Sequence, residues 1–268
     1  MGVITTPNSR KMEQTTVVLY NSFEEEGVNL MCGRFTLFAS EKEIQDEFGL
    51  NEPIEGYRKS YNLAPSQQVV SLLYDGERKR AGTLQWGLIP SWAEDKNIGY
   101  KMINARSESA HEKPSFKKLM TQNRCLIIAD SFYEWQQQDG VKEAQRIQVK
   151  DRKLFAFAGL WDKWQKQGET LFTCTILTTD SNPFMRNIHH RMPIILPKDK
   201  EDEWICSSYR EPMEAKKFLD TIDYDPFTAY PVSDYVNKVA HNDEKCIQPL
   251  AEEDRPIRVQ QKSLFDFK

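Results

Sequence analysis

Val69-Val70-Ser71-Leu72-Leu73-Tyr74-Asp75-Gly76-Glu77-Arg78-Lys79-Arg80-Ala81-Gly82-Thr83-Leu84-Gln85-Trp86 is the stretch that decides the fold. Residues 69–74 are a β-type run, Asp75-Gly76 is a hairpin signal, and residues 80–86 offer a return strand, so neighbouring strands run antiparallel. Similar runs recur at 125–129, 132–135, 146–149, 155–160, 172–178 and 192–196. Helices fit 107–110, 114–120 and 211–221. Many short strands, few helices and no βαβ alternation predict an α+β domain, mostly antiparallel β-sheet curled into a barrel-like form with a few flanking helices.

Upstream of the hairpin, residues 32–39 read as a short strand, and Ser40-Glu41-Lys42-Glu43 is a capping-box signature for a helix that runs towards Phe48 and stops at Gly49. Ile44 and Phe48 form its inward face. Residues 51–66 are loop-like, with Pro53, Gly56 and Asn62-Leu63-Ala64-Pro65. Downstream, residues 86–106 are rich in Gly, Pro, Trp and Asn, which predicts a functional loop instead of a regular element.

Of 268 residues, 39% are hydrophobic and 11% aromatic, enough for one sizeable core. No apolar run approaches the roughly 20 residues that span a bilayer, and the first 30 residues lack the apolar centre of a secretion signal, so a cytoplasmic, non-membrane protein is expected. The net charge is -4, of which residues 1–30 carry -2 through Arg10 and Lys11 against Glu13, Glu24, Glu25 and Glu26. A strongly basic nucleic-acid coat is thereby excluded. DNA binding needs arginines gathered in one groove, with a modest, salt-sensitive electrostatic contribution. The five cysteines, Cys32, Cys125, Cys174, Cys206 and Cys246, are odd in number and widely spaced with no C-x-x-C, which argues against disulfides and a zinc site. Four of them read as ordinary buried thiols.

Met31-Cys32-Gly33-Arg34-Phe35 looks like a start. A cysteine exposed by loss of its initiator methionine carries an amine and a thiol on adjacent carbons. The amine captures an aldehyde as an imine, and the thiolate closes on the imine carbon to give a thiazolidine. Glu134, between Tyr133 and Trp135 in a run that otherwise reads as core, is a candidate proton carrier with a raised pKa. His189 and His190 precede Arg191-Met192-Pro193; paired histidines in a loop are more often surface than catalytic. Asn104 reads as a turn residue or a polar site group. Trp86 and Trp92 read as loop packing or, beside arginines, as stacking platforms for unpaired bases.

Taken together, Met31-Cys32-Gly33-Arg34-Phe35, Tyr61-Asn62-Leu63-Ala64-Pro65, Trp86-Gly87-Leu88-Ile89-Pro90-Ser91-Trp92, Ile103-Asn104-Ala105-Arg106-Ser107-Glu108, Phe132-Tyr133-Glu134-Trp135 and Ile188-His189-His190-Arg191-Met192-Pro193 strongly resemble the SRAP family of SOS-response-associated, abasic-site-processing proteins, also catalogued as peptidases. The resemblance covers residues 31–250, including Pro231-Val232-Ser233 and Val236-Asn237. It implies recognition of abasic sites in single-stranded DNA and covalent capture of the ring-opened sugar in the DNA damage (SOS) response, with lyase-type strand cleavage or reversal of the crosslink. By that resemblance Cys32 is the nucleophile, through both amine and sulfur. Glu134 is the general acid/base, His189 serves the Schiff base, and Asn104 positions the sugar. Arg34, Arg106 and Arg191 hold flanking phosphates, while Trp86 and Trp92 pack on neighbouring bases. His190 is left out because an extended segment points its side chain elsewhere. No metal or organic cofactor is required, and a monomer is expected.

Residues 1–30 depart from the family pattern. Attached, they put a peptide amide where the Cys32 amine should be, so they read as a mis-assigned start, with Glu25-Glu26-Gly27 encodable as a ribosome-binding sequence, or as a propeptide removed by self-cleavage. Residues 251–268 form a polar tail whose Gln261-Lys262-Ser263-Leu264-Phe265 resembles the peptides by which bacterial repair proteins dock on the replicative sliding clamp, Gln261 fixing register while Leu264 and Phe265 enter a pocket. Two other functions fit the residues. A cysteine peptidase would use Cys32 with His189 and Asn104 or Glu134. A non-covalent single-stranded DNA-binding module would need the arginines and tryptophans alone.

Overall fold

The structure, a computed structural model, describes residues 33–138, 140–166 and 168–255. In chain order the strands are β1 (Arg34–Leu37), β2 (Ser60–Leu63), β3 (Gln68–Tyr74), β4 (Lys79–Trp86), β5 (Asn104–Arg106), β6 (Arg124–Ala129), β7 (Ser131–Gln138), β8 (Val141–Val149), β9 (Phe155–Lys166), β10 (Glu169–Asp180), β11 (Arg191–Pro193), β12 (Ile195–Leu196) and β13 (Phe227–Pro231). The helices are α1 (Glu41–Phe48), α2 (Ser107–Ala110), α3 (Leu119–Gln122), α4 (Lys198–Cys206) and α5 (Pro212–Asp220).

The hairpin forms in the expected register, from Gln68↔Gln85 to Tyr74↔Lys79. Its turn is held by Asp75, whose Oδ1 accepts from the backbone N–H groups of Glu77 and Arg78 at 2.9 Å each. From this hairpin a barrel closes. β3 pairs with β6, β6 with β9, β9 with β10, and β10 returns to β4. The β10–β4 and β10–β5 pairings are parallel, a departure from the antiparallel expectation that the long connection after Trp86 permits. Inside the barrel Phe157 meets Phe35, Phe132 and Phe155 edge-on, at ring-centroid distances of 5.5, 6.1 and 5.3 Å. Gly159, opposite Cys125, leaves no room for a side chain: a Cβ there would stand 2.7 Å from the Cys125 Sγ.

A second sheet, ordered β13-β8-β7-β1-β2, grows out of the first. β6 and β7 are one run of chain that changes sheets at Asp130. There the Asp130 N–H donates to the Thr36 carbonyl at 3.0 Å, and its carboxylate accepts from the Thr36 hydroxyl and from the Phe38 N–H at 2.6 Å. Such a bend in a shared strand makes the corner between packed sheets. The α+β, barrel-forming expectation therefore holds, and all described residues lie in one compact unit within Cys32–Lys268.

Some readings change. α1 forms with Ser40 and Glu43 in a reciprocal capping box, and Gly49 closes it at φ +66°. Residues 51–66, expected as loop, contain β2, and residues 86–106 contain a 3-10 turn, Lys96–Lys101, and β5. The helix expected over 114–120 begins only at Leu119, because the Lys113 carbonyl gathers the N–H groups of Phe116 and Lys117 into turns first. The helix expected over 211–221 forms as Pro212–Asp220, whereas α4 gave no sequence signal: its polar run hides buried Trp204 and Ile205 at its end. Cys125, Cys174 and Cys246 are buried, but Cys206 is exposed. Among the described residues no helix is long and apolar enough to cross a membrane, and no group of His, Cys, Asp and Glu is arranged to hold a metal ion.

Candidate functional site

The site is assembled around the start of β1. Cys32 itself lies outside the described residues, as do residues 1–30 and the tail residues Gln261, Leu264 and Phe265. The chain immediately after Cys32 is firmly fixed. β1 pairs with β7 so that Arg34 stands opposite Tyr133. Continued by one residue, this register sets Glu134 opposite Gly33, on the same face as Phe132. Glu134 is 3% exposed and faces Gln145 across β8. A carboxylate is thus held inside the sheet, opposite the residue that follows Cys32.

Arg34 points the other way and is buried. Its Nη1 donates to the Asn62 Oδ1 at 3.0 Å and the Val236 carbonyl at 2.9 Å, and its Nη2 to the Asn237 carbonyl at 3.0 Å. Asn62 Nδ2 faces the same arch, at 3.0 Å from the Val236 carbonyl, 3.2 Å from that of Lys238 and 2.8 Å from that of His241. Trp135 completes the grip through Nε1 to the Asn237 Oδ1 at 2.8 Å. The Arg34 guanidinium is therefore spent on protein carbonyls inside the fold, which corrects its expected place among phosphates.

On the opposite flank, β10 carries two short strands. Asn104 pairs with Ile176 and Arg106 with Thr178 on one edge; Pro193 pairs with Thr178 and Arg191 with Asp180 on the other. Half-buried Asn104 is thus a strand residue and not the turn residue considered above. Arg106 is exposed. Arg191 is 5% exposed and ion-paired: Nη1 reaches Glu108 Oε1 and Asp180 Oδ1 at 2.6 Å each, and Nη2 reaches Glu108 Oε2 at 2.8 Å and the Thr178 carbonyl at 2.9 Å. Burial alone raises the Glu108 pKa, but the Arg191 hydrogen bonds and charge outweigh it and hold the carboxyl below its ordinary value. The Arg191 Nε, also buried, has no hydrogen-bond partner among the described residues.

His189 sits where the turn after Met185–Asn187 feeds β11, and the Arg191 backbone N–H donates to its Nδ1 at 3.2 Å. The Arg191 carbonyl lies at the same 3.2 Å from Nδ1, so this nitrogen accepts from the Arg191 N–H in one tautomer and donates to the Arg191 carbonyl in the other. Burial lowers the His189 pKa; the charges of His190 and Arg191 add to that, and the backbone hydrogen bond with Arg191 opposes it. Because the segment is a turn and not extended, the His190 ring lies beside it at 4.3 Å, which corrects the expectation that it points elsewhere. The Gln136 side chain donates to the Asn187 carbonyl at 2.8 Å, so the strand that carries Glu134 is bonded to the turn that carries His189.

The two tryptophans part company. Trp86 is fully buried, its ring 5.1 Å from that of Phe35 and its Nε1 donating to the Ile103 carbonyl at 2.9 Å. It offers no face to a base and instead braces β1 against the chain entering Asn104; its expected stacking role is corrected. Trp92 is 57% exposed, on a loop pinned by the Ser91 N–H to Asp162 and the Ile89 N–H to the Thr173 hydroxyl. Gly87 makes that loop possible: at φ +126° a Cβ would lie 2.7 Å from the Gly99 carbonyl oxygen. Glu108 and Asn62, which hold Arg191 and Arg34, both lie inside the sequence motifs, and a polar residue fixed inside such a motif is the signal that marks them.

The barrel, buried Glu134 on β7 and the His189 turn bonded to β7 through Gln136 agree with one family. The chain belongs to the family described as SOS response associated peptidase (SRAP), whose model matches residues 31–239. It is 47% identical over 221 residues to the abasic site processing protein YoaM of Bacillus subtilis (strain 168), covering 81% of this chain and 97% of that one. It is 32% identical over 227 residues to the abasic site processing protein HMCES of Gallus gallus, covering 72% of this chain and 67% of that one. A crystal structure of a protein from Bacteroides thetaiotaomicron superposes with a TM-score of 0.74 at 25% identity, covering 82% of this chain and all of that one.

Proposed function

We propose that this chain processes abasic sites in single-stranded DNA by forming a thiazolidine crosslink through Cys32. The observation that carries the reading is the register that sets buried Glu134 opposite the residue following Cys32. The Cys32 amine adds to the aldehyde of the ring-opened sugar, Glu134 passes the proton that lets water leave, and the Cys32 thiol adds across the resulting C=N bond. No redox partner is needed. The α-amine suits the task because its reference pKa of about 7.7–8.0 leaves a neutral fraction near pH 7. His189, kept neutral by burial, hydrogen-bonds the Schiff base and can take up a proton as a base in strand cleavage by β-elimination or in reversal of the link. Asn104 positions the sugar. Exposed Arg106 meets a flanking phosphate, Arg191 offers its remaining Nε–H, and Trp92 stacks on a base, while Arg34 and Trp86 hold the frame.

The test is an oligonucleotide with one abasic site, incubated with protein that begins at Cys32 and with protein that retains residues 1–30. A heat-stable adduct is expected from the first and not from the second, and is lost on Cys32→Ala. Equal adducts from both would sink the amine-plus-thiol chemistry. Release of residues 1–30 without DNA would instead favour the peptidase reading that the family description keeps alive. The protein acts as a cytoplasmic monomer, drawn to the nucleoid by its DNA. Its tail, through Gln261, Leu264 and Phe265, docks on the sliding clamp; clamp capture unchanged by Leu264→Ala with Phe265→Ala would remove that partner.

A further inference from the structure

Arg191 has five N–H donors, and four of them are already committed. Its terminal nitrogens meet Glu108 in an end-on, two-point pair, with Asp180 taking a second bond from Nη1 and Thr178 a second from Nη2. The fifth, on Nε, is buried and has no partner among the described residues. Leaving a buried donor unpaired costs about 1–3 kcal/mol, so a fold that keeps one keeps it for a ligand or carries the loss. The donor belongs to the residue whose backbone N–H and carbonyl meet the His189 Nδ1.

The guanidinium is planar and its donors form a rigid fork. Once Glu108 grips both terminal nitrogens, the direction of the Nε–H is set as well. Asp180 cannot do this alone: it touches only Nη1, and its side chain is 83% exposed against 43% for Glu108. Glu108 is fixed in turn by the short α2, which follows directly on β5 and Asn104.

We infer that Glu108 is a positioning residue, which aims the Arg191 Nε–H at an oxygen of the abasic nucleotide and steadies the turn bearing His189. The inference rests on the abasic-site reading above and adds the residue that orients that site. Glu108 touches neither sugar nor phosphate; it acts through Arg191. It also ties the strand of Asn104 to the strand of Arg191 across β10, so that the two flanks of the lesion keep one spacing.

The experiment uses the full chain and an oligonucleotide containing a tetrahydrofuran analogue, which has the shape of an abasic site and no aldehyde. The ¹H–¹⁵N signal of the Arg191 Nε–H is followed during titration in wild type, Glu108→Gln and Glu108→Asp. In wild type the signal shifts on binding. Glu108→Gln weakens binding of the analogue by about tenfold or more, the loss of one charge-assisted hydrogen bond, with little change in Tm. Glu108→Asp, too short to hold both nitrogens, recovers part of the loss. A wild-type Nε–H signal that ignores the analogue overturns the inference, as does a Glu108→Gln protein that binds normally or loses affinity only in step with its Tm. Failure of wild type to form the covalent adduct strikes the abasic-site reading alone, because the Nε–H titration needs no reaction.

Discussion

Two arginines of the candidate site are buried, Arg34 on β1 and Arg191 on β11, and they are held in opposite ways. Arg34 is bonded to one amide and two backbone carbonyls, all neutral, in an arch drawn from the far end of the chain. Arg191 is bonded to two carboxylates that still see solvent, and keeps one donor unspent. The first is a fastener whose bonds to Asn62, Val236 and Asn237 point inward; the second is a fixed donor beside His189. Sequence motifs treat them alike, each an arginine next to a site residue. Their partners separate them.

The largest expected effect is on stability. Arg34→Met should cost on the order of 3 kcal/mol, because the carbonyls of Val236 and Asn237 lose a charged donor inside the fold; urea denaturation measures it, and a cost within error of zero would break the contrast. Arg191→Met should cost only about 1 kcal/mol, since its carboxylates can rehydrate. It should nevertheless slow adduct formation by about tenfold through the lost Nε–H bond. Adduct formation at the wild-type rate would make both arginines fasteners.

Acid supplies a smaller and more selective test. The folded Glu108 pKa lies below its ordinary value of 4.5. Its contribution is therefore present above the unfolded value and is lost as pH falls through the folded one. With Glu108 nearly half exposed, the amount stays below about 1 kcal/mol. The stability advantage of wild type over Arg191→Met should shrink below pH 4.5, and by more than its advantage over Arg34→Met, whose hydrogen bonds to Asn62, Val236 and Asn237 do not titrate. Parallel curves for the two variants would show that the Glu108 pairing adds nothing.

Local patterning made much of this architecture legible. The Asp75-Gly76 turn and the Ser40-Glu43 capping box are short-range chemistry, and both formed as read. What escaped the sequence depends on partners far away. Trp86 and Trp92 sit in one motif six residues apart, yet one is core and the other surface, because only Trp86 meets Phe35 and the Ile103 carbonyl. β2 is short and carries polar Ser60 and Asn62, whose partners lie near residue 240, so its pattern mimics a loop. The candidate residues Glu134 and His189 could be picked out as types. Which arginine is buried among backbone carbonyls could not, since nothing near Arg34 announces a bond to Val236, 202 positions away.

That span also sets a timetable. A ribosome adding about 5–20 residues per second takes roughly 10–40 s to travel from Arg34 to its last acceptors. Throughout that interval the Arg34 guanidinium has been made and the carbonyls that bury it have not. β1 therefore cannot reach its final hydrogen-bonded state until nearly the whole domain has been synthesised.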